Sequence, residues 1–92
     1  RQLIHLAAQN GHQKLFDHLV TTYHADPLAK DNNGCQPIHL AAYLGHQTLV
    51  DHLVTTYNAD PLAKDDYGWQ PIQLAAHHGH QKLVDHLVTT YK

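Results

Sequence analysis

The chain of 92 residues contains no serine, no glutamate and no methionine, and one residue each of cysteine, tryptophan and phenylalanine. Without serine there is no serine triad, and aspartate is the only carboxylate side chain. No glycine loop of the phosphate-cradling kind is present either, so an enzyme is not expected. The lone Cys35 has no internal partner for a disulfide, and neither a paired-cysteine framework nor a cleavable leader is visible. An intracellular, reducing compartment, the cytoplasm, is therefore expected. No apolar run approaches the ~18 to 20 residues of a membrane-crossing helix, which argues against a membrane partner. Cationic side chains are few: six Lys and Arg face eight Asp, a formal charge of -2 with histidines neutral. That balance gives no electrostatic attraction to nucleic acid. The chain opens on Arg1 rather than methionine and is expected to be a segment of a longer protein.

What the chain does contain is itself, several times over. Gly11-His12-Gln13 returns as Gly45-His46-Gln47 and Gly79-His80-Gln81, and the run from Asp26 to Asp31 returns as Asp60 to Asp65. Residues 1–34 and 35–68 differ at nine of 34 positions, and residues 35–58 and 69–92 at six of 24. Repetition at this period marks a solenoid, in which no unit buries its own apolar face and stability comes from stacking neighbours. With 42% apolar and 15% charged residues the chain has the material to fold, although a single core of this size would be marginal. One domain spanning 1–92 is expected, built of units 1–34, 35–68 and 69–92.

Within a unit the pattern predicts two helices and a connecting arm. Pro37 and Pro71 sit where proline is tolerated, at the first turn of a helix running from Ile38 to Leu44 in the middle unit. Gly45 supplies the left-handed residue that ends it. The second helix carries Leu49, Val50, Leu53, Val54 and Tyr57 on one apolar stripe and stops at Asn58, or at His24 in the first unit. Asp60-Pro61 then breaks the helix, and the run from Lys64 to Gly68 has the chemistry of a protruding turn.

The run from Asp31 to Ala42, followed by Gly45-His46, Leu49-Val50, Leu53-Val54 and Ala59-Asp60, resembles the ankyrin-repeat family. The resemblance covers the whole chain. It implies an all-α solenoid of three stacked helix pairs with projecting hairpin-like loops, and a non-catalytic module that binds a protein partner on its concave face. Three departures stand out. The period is 34 rather than 33, with the extra residue at the end of the second helix. Gln36 and Gln70 replace the threonine expected before proline, at a cost of about 1 kcal/mol in helix capping. Gln73 replaces the histidine found as His5 and His39, which predicts a weaker polar tie between the third unit and its neighbour.

Differences between the units predict where a partner docks. Asn32 and Asn33 become Asp66 and Tyr67, Cys35 becomes Trp69, and Tyr43 and Leu44 become His77 and His78. Loop tips also drift when nothing packs on them. Drift would bring in Lys, Glu or Ser more often than large aromatics, whereas Tyr43, Tyr67 and Trp69 are of the kind enriched at interface hot spots. The expected partner-binding set is therefore Asn32, Asn33, Cys35, Tyr43, Leu44, Asp66, Tyr67, Trp69, His77 and His78. Apolar positions such as Leu3, Leu6, Leu83 and Leu87 support a second reading, a structural unit that self-associates end to end through uncapped terminal repeats.

Eleven histidines raise the question of a metal, and geometry answers against it. Equivalent histidines of successive units are separated by a helix spacing of about 8 to 10 Å, whereas zinc requires nitrogens at about 2.0 to 2.1 Å. His77, His78 and His80 cluster locally without an evident carboxylate to orient them. The resemblance implies that the histidines after glycine and after Pro-Ile satisfy backbone groups, and that His18, His52 and His86, at a position more often leucine, lie half-buried along the helix interface. No cofactor is expected. Cys35 with His39 four residues on has the spacing of an activated thiol. The variable position, occupied elsewhere by Arg1 and Trp69, favours a neutral thiol instead.

Overall fold

A computed structural model describes residues 2–91. Arg1 and Lys92, the outer limits of the expected domain, lie outside the described residues. Six helices follow one another: α1 Leu3–Gln9, α2 Gln13–Tyr23, α3 Pro37–Tyr43, α4 Gln47–Tyr57, α5 Pro71–His77 and α6 Gln81–Thr90. No strand occurs among the described residues. The short helices α1, α3 and α5 stack on one another, and each packs against the long helix that follows it. The array measures 34 × 24 × 20 Å.

Local chemistry fixes the boundaries. Pro37 and Pro71 begin α3 and α5, where a missing N–H costs nothing. The amide preceding each short helix is taken up from within its first turn: Gln36 N–H donates to His39 Nδ1 at 2.9 Å, and Gln70 N–H to Gln73 Oε1 at 2.8 Å. The long helices α2 and α4 end on His24 and Asn58, at φ 57° and 58°. Histidine thus adopts the left-handed cap as readily here as asparagine.

Small residues make the stacking possible. Ala41, Ala42 and Ala75 are fully buried and bring the short helices close, while Phe16, Leu49, Leu53 and Leu83 fill the layer beneath. Middle-unit residues are buried from both sides. Leu49 is 2% exposed, yet its first-unit equivalent Leu15, without a described unit on that side, is 46% exposed. Burial therefore comes from neighbouring units, as a solenoid demands.

The connecting loops repeat one internal geometry. Asp31 Oδ1 accepts the Asn33 and Cys35 amides, each at 2.9 Å, and Asp65 Oδ1 accepts those of Tyr67 and Trp69 at the same distance. Successive loops are then joined where Asp66 N–H donates to Asn33 O at 3.0 Å. The close approach explains Gly34, at φ 73°, since a Cβ there would lie 2.1 Å from Asp66 Oδ1.

Candidate functional site

Most of the histidines belong to the scaffold, in three sets. His5 and His39 are fully buried. Their Nδ1 atoms accept the Gln2 and Gln36 amides, so Nε2 carries the proton and donates to Ala29 O and Ala63 O, each at 2.7 Å. This ties a short helix to the loop of its own unit. The expectation that Gln73 weakens a tie to the neighbouring unit is thereby corrected, because the histidine it replaces does not reach that neighbour. Contact between units runs through the second set: His46 Nε2 bonds Gln9 O and His80 Nε2 bonds Tyr43 O, both at 2.9 Å.

The third set forms a latch between successive long helices. His52 Nε2 lies 2.8 Å from Asp17 Oδ1, and the Tyr57 hydroxyl donates to the same oxygen. One unit on, His86 Nε2 lies 2.8 Å from Asp51 Oδ1, to which the Tyr91 hydroxyl donates at 2.6 Å. Partial burial pushes the Asp17 carboxyl upward. The hydrogen bonds from Tyr57 and His52 and the attraction of the His52 imidazole outweigh it, holding the group below its ordinary 3.8. Burial first, then the bond to Asp17 and its charge, push the Tyr57 hydroxyl up to about 12, and Asp51 does the same to Tyr91. His52 and His86 are half-buried as expected, but His18 is exposed, and among the described residues no aspartate of another unit bonds it. Sequence reasoning missed the aspartates. The signal was the Asp-His pair repeated unchanged at 17–18, 51–52 and 85–86.

The expected partner-binding residues divide into two groups. Trp69, His77, His78 and Tyr43 form a continuous row of rings across the second and third units. Trp69 meets His77 edge-on at 5.5 Å, His77 and His78 are 5.7 Å apart, and His78 lies 3.7 Å from Tyr43. Tyr67, 72% exposed, lines a shallow groove of about 590 Å³ with Trp69, Gln73, Ala76 and His77. The second group sits apart from this row. Asn32 and Asn33 are exposed on the preceding loop, and the Asn33 carbonyl is engaged by Asp66 N–H. Asp66 thus serves the loop junction. Leu44 caps α3 and is exposed.

Cys35 is half-buried, with its Sγ donating to Asp65 Oδ2 at 3.7 Å. Both nitrogens of His39 are already committed, to Gln36 N–H and Ala63 O, and neither serves the thiol. The spacing of an activated thiol therefore does not become the geometry of one. Among the described residues no group of three or more His, Cys, Asp or Glu is placed to hold a metal ion. Nor is any described helix long and apolar enough to cross a membrane.

A family model for ankyrin repeats, in three copies, matches residues 4–92. None of the curated proteins compared with the chain matches it.

Proposed function

The chain belongs to the ankyrin-repeat family, and from that premise we propose that it binds a protein partner through the ring row Tyr43, His78, His77 and Trp69 together with Tyr67. Ankyrin repeats are in general protein–protein interaction modules. The observation that supports this face is the gathering of large rings at positions that differ between units, on a scaffold whose short-helix alanines and buried long-helix leucines do not. Trp and Tyr supply rigid area at small cost in side-chain entropy, and the imidazoles add donors and acceptors. Asn32, Asn33, Cys35, Leu44 and Asp66 lie outside the ring row and are not its anchors.

Binding, not catalysis, is the activity. The single thiol suits a reducing, intracellular setting. Immobilised chain should retain a protein partner that the Tyr67→Ala/Trp69→Ala variant loses and the Lys82→Ala variant keeps, with unchanged helical circular dichroism in all three. Equal retention by the double variant overturns the assignment of the face. Self-association through the ends concerns other surfaces and does not compete with this reading.

A further inference from the structure

The connecting arms after α2 and α4 are each pinned at the base by a buried imidazole. His39 Nε2 donates to Ala63 O at 2.7 Å, and Ala63 opens the stretch that carries Tyr67 and Trp69. At its tip the same arm is joined to the preceding one by the Asp66 amide on Asn33 O. His5 pins the arm of Asn32 and Asn33 in the same way, through Ala29 O at 2.7 Å. Either pin holds in one protonation state only. Nδ1 of each ring accepts a backbone amide, from Gln2 at 3.1 Å or from Gln36 at 2.9 Å. A second proton would go to Nδ1 and set donor against donor, on rings that are 0% exposed. No carboxylate is among the bonding partners of either ring to balance the charge.

Titratable groups on the surrounding elements are engaged elsewhere or exposed. On the arms, Asp31 and Asp65 accept amides of their own turns, and Lys30 and Lys64 are exposed. On the long helices, Asp17, Asp51, His52 and Tyr57 belong to the latches, and Lys14, His18 and Tyr23 are exposed. Among the short helices, Tyr43 and His77 stand at the far ends of α3 and α5, and the position equivalent to His39 in α5 is Gln73, which has no proton to gain. The remaining bonded histidines tolerate the proton that the pins do not. His46 and His80 donate from Nε2 to carbonyls, so a proton gained at Nδ1 leaves those bonds in place. For His52 and His86 it turns the bond to aspartate into an ion pair, with Thr56 and Thr90 Oγ1 placed to accept at 3.2 and 3.4 Å.

We propose that His5 and His39 form an acid-released joint: as pH falls through the range in which free imidazole takes up a proton, about 6.5, the arms leave the short helices while the latches keep the units stacked. A released ring binds one proton more than a pinned one, so release is favoured in acid and the pin is complete above about pH 7. The third unit lacks the device, since Gln73 Oε1 holds the Gln70 amide in acid as at neutrality. The arm freed from Ala63 carries Tyr67 and Trp69, so acid also disperses the docking face; this consequence rests on the reading of those rings as the place where a partner binds.

Amide hydrogen exchange followed by nuclear magnetic resonance tests the joint on the chain alone. Between about pH 7.5 and 5, the Gln36 amide should lose roughly 20- to 30-fold in protection relative to an unstructured chain at the same pH, the factor for a ring that gains its proton only on release. Gln70 should keep its protection, and helical circular dichroism should persist. His39→Gln should make Gln36 behave like Gln70, whereas His52→Gln, which touches a latch and not a pin, should leave the acid loss at Gln36 in place. Constant protection of Gln36 overturns the proposal, as does a parallel loss at Gln70, loss of helix in step with the amide, or an acid loss that persists in His39→Gln. No partner is needed, so failure of the joint shows at Gln36 and failure of the docking face shows separately, in retention by the Tyr67→Ala/Trp69→Ala variant.

Discussion

Replacing Tyr57 by phenylalanine removes one hydroxyl from the latch and leaves the ring in place against Phe16, whose centroid is 5.6 Å away. A hydrogen bond to a charged acceptor contributes about 1.5 to 3 kcal/mol. The Asp17 side chain is 37% exposed, so water replaces part of what is lost, and a cost of about 1 to 1.5 kcal/mol follows. For a domain of this length that lowers Tm by about 5 to 10 °C. Alkali supplies a second signature. The hydroxyl ionises near its ordinary 10.0 when unfolded and near about 12 when folded, so between those values the unfolded state binds fewer protons. Its stabilisation is complete below pH 10 and is lost as pH rises toward 12. Urea denaturation of both proteins should therefore show a gap that is constant up to pH 10 and narrows above it. Tyr23→Phe is the control, because no aspartate among the described residues bonds the Tyr23 hydroxyl. A Tyr57→Phe protein as stable as wild type, or a gap indifferent to alkali, refutes the latch as a source of stability.

Four further outcomes follow from the same interfaces. Gly45 and Gly79 have similar positive φ values of 78° and 73°, so alanine at either incurs about 1 to 2 kcal/mol of backbone strain. Only at Gly45 would the new Cβ lie 2.7 Å from His80 Nδ1, and chemical denaturation should find Gly45→Ala the less stable by at least ~1 kcal/mol. His39→Leu leaves Gln36 N–H and Ala63 O without a partner and should cost about 2 to 4 kcal/mol, whereas His39→Gln, with the N-cap bond seen at Gln73, should cost about half of that. Leu49→Ala should cost about 2 to 5 kcal/mol in a melting experiment, and Leu15→Ala under about 1 kcal/mol. In acid, the contribution of the Asp17 carboxylate is complete above its ordinary 3.8 and is lost as pH falls through its lower folded value, so Asp17→Asn should narrow its deficit relative to wild type below pH 4.

Elements governed by local chemistry were legible in the chain itself. Pro37, Gly45 and Asn58 each mark a helix boundary through a backbone requirement that needs no distant partner, and each marks it in the structure. Leu44 reads as the last helical residue and is instead the cap, a shift of one position of the kind fraying ends produce. The latch was illegible for the opposite reason. Asp17 finds His52 only once two long helices have been set side by side, and nothing in the local pattern says which flank of a helix will face the next unit. Likewise, the ring row depends on Trp69 at a loop end meeting His77 at a helix end, eight residues apart in sequence and together only through the fold. The repeat could point to variable positions, but it could not separate Asp66, engaged at the loop junction, from Tyr67 beside it.

That separation bears on how such a chain changes its binding without losing its fold. Each latch is complete within one pair of neighbouring units, through Asp17, His52 and Tyr57 or through Asp51, His86 and Tyr91. Interfaces of this kind add nearly independently to stability. The ring row, by contrast, is attached to the scaffold by backbone groups: Tyr43 offers its carbonyl to His80, and Trp69 its amide to Asp65 Oδ1. Any side chain supplies the same carbonyl or amide. Positions 43 and 69 can therefore exchange tyrosine for histidine or cysteine for tryptophan, as the units themselves do, while the bond that holds the scaffold is unchanged. Asp17 and Tyr57 have no such freedom, because there the side chain itself is the bond.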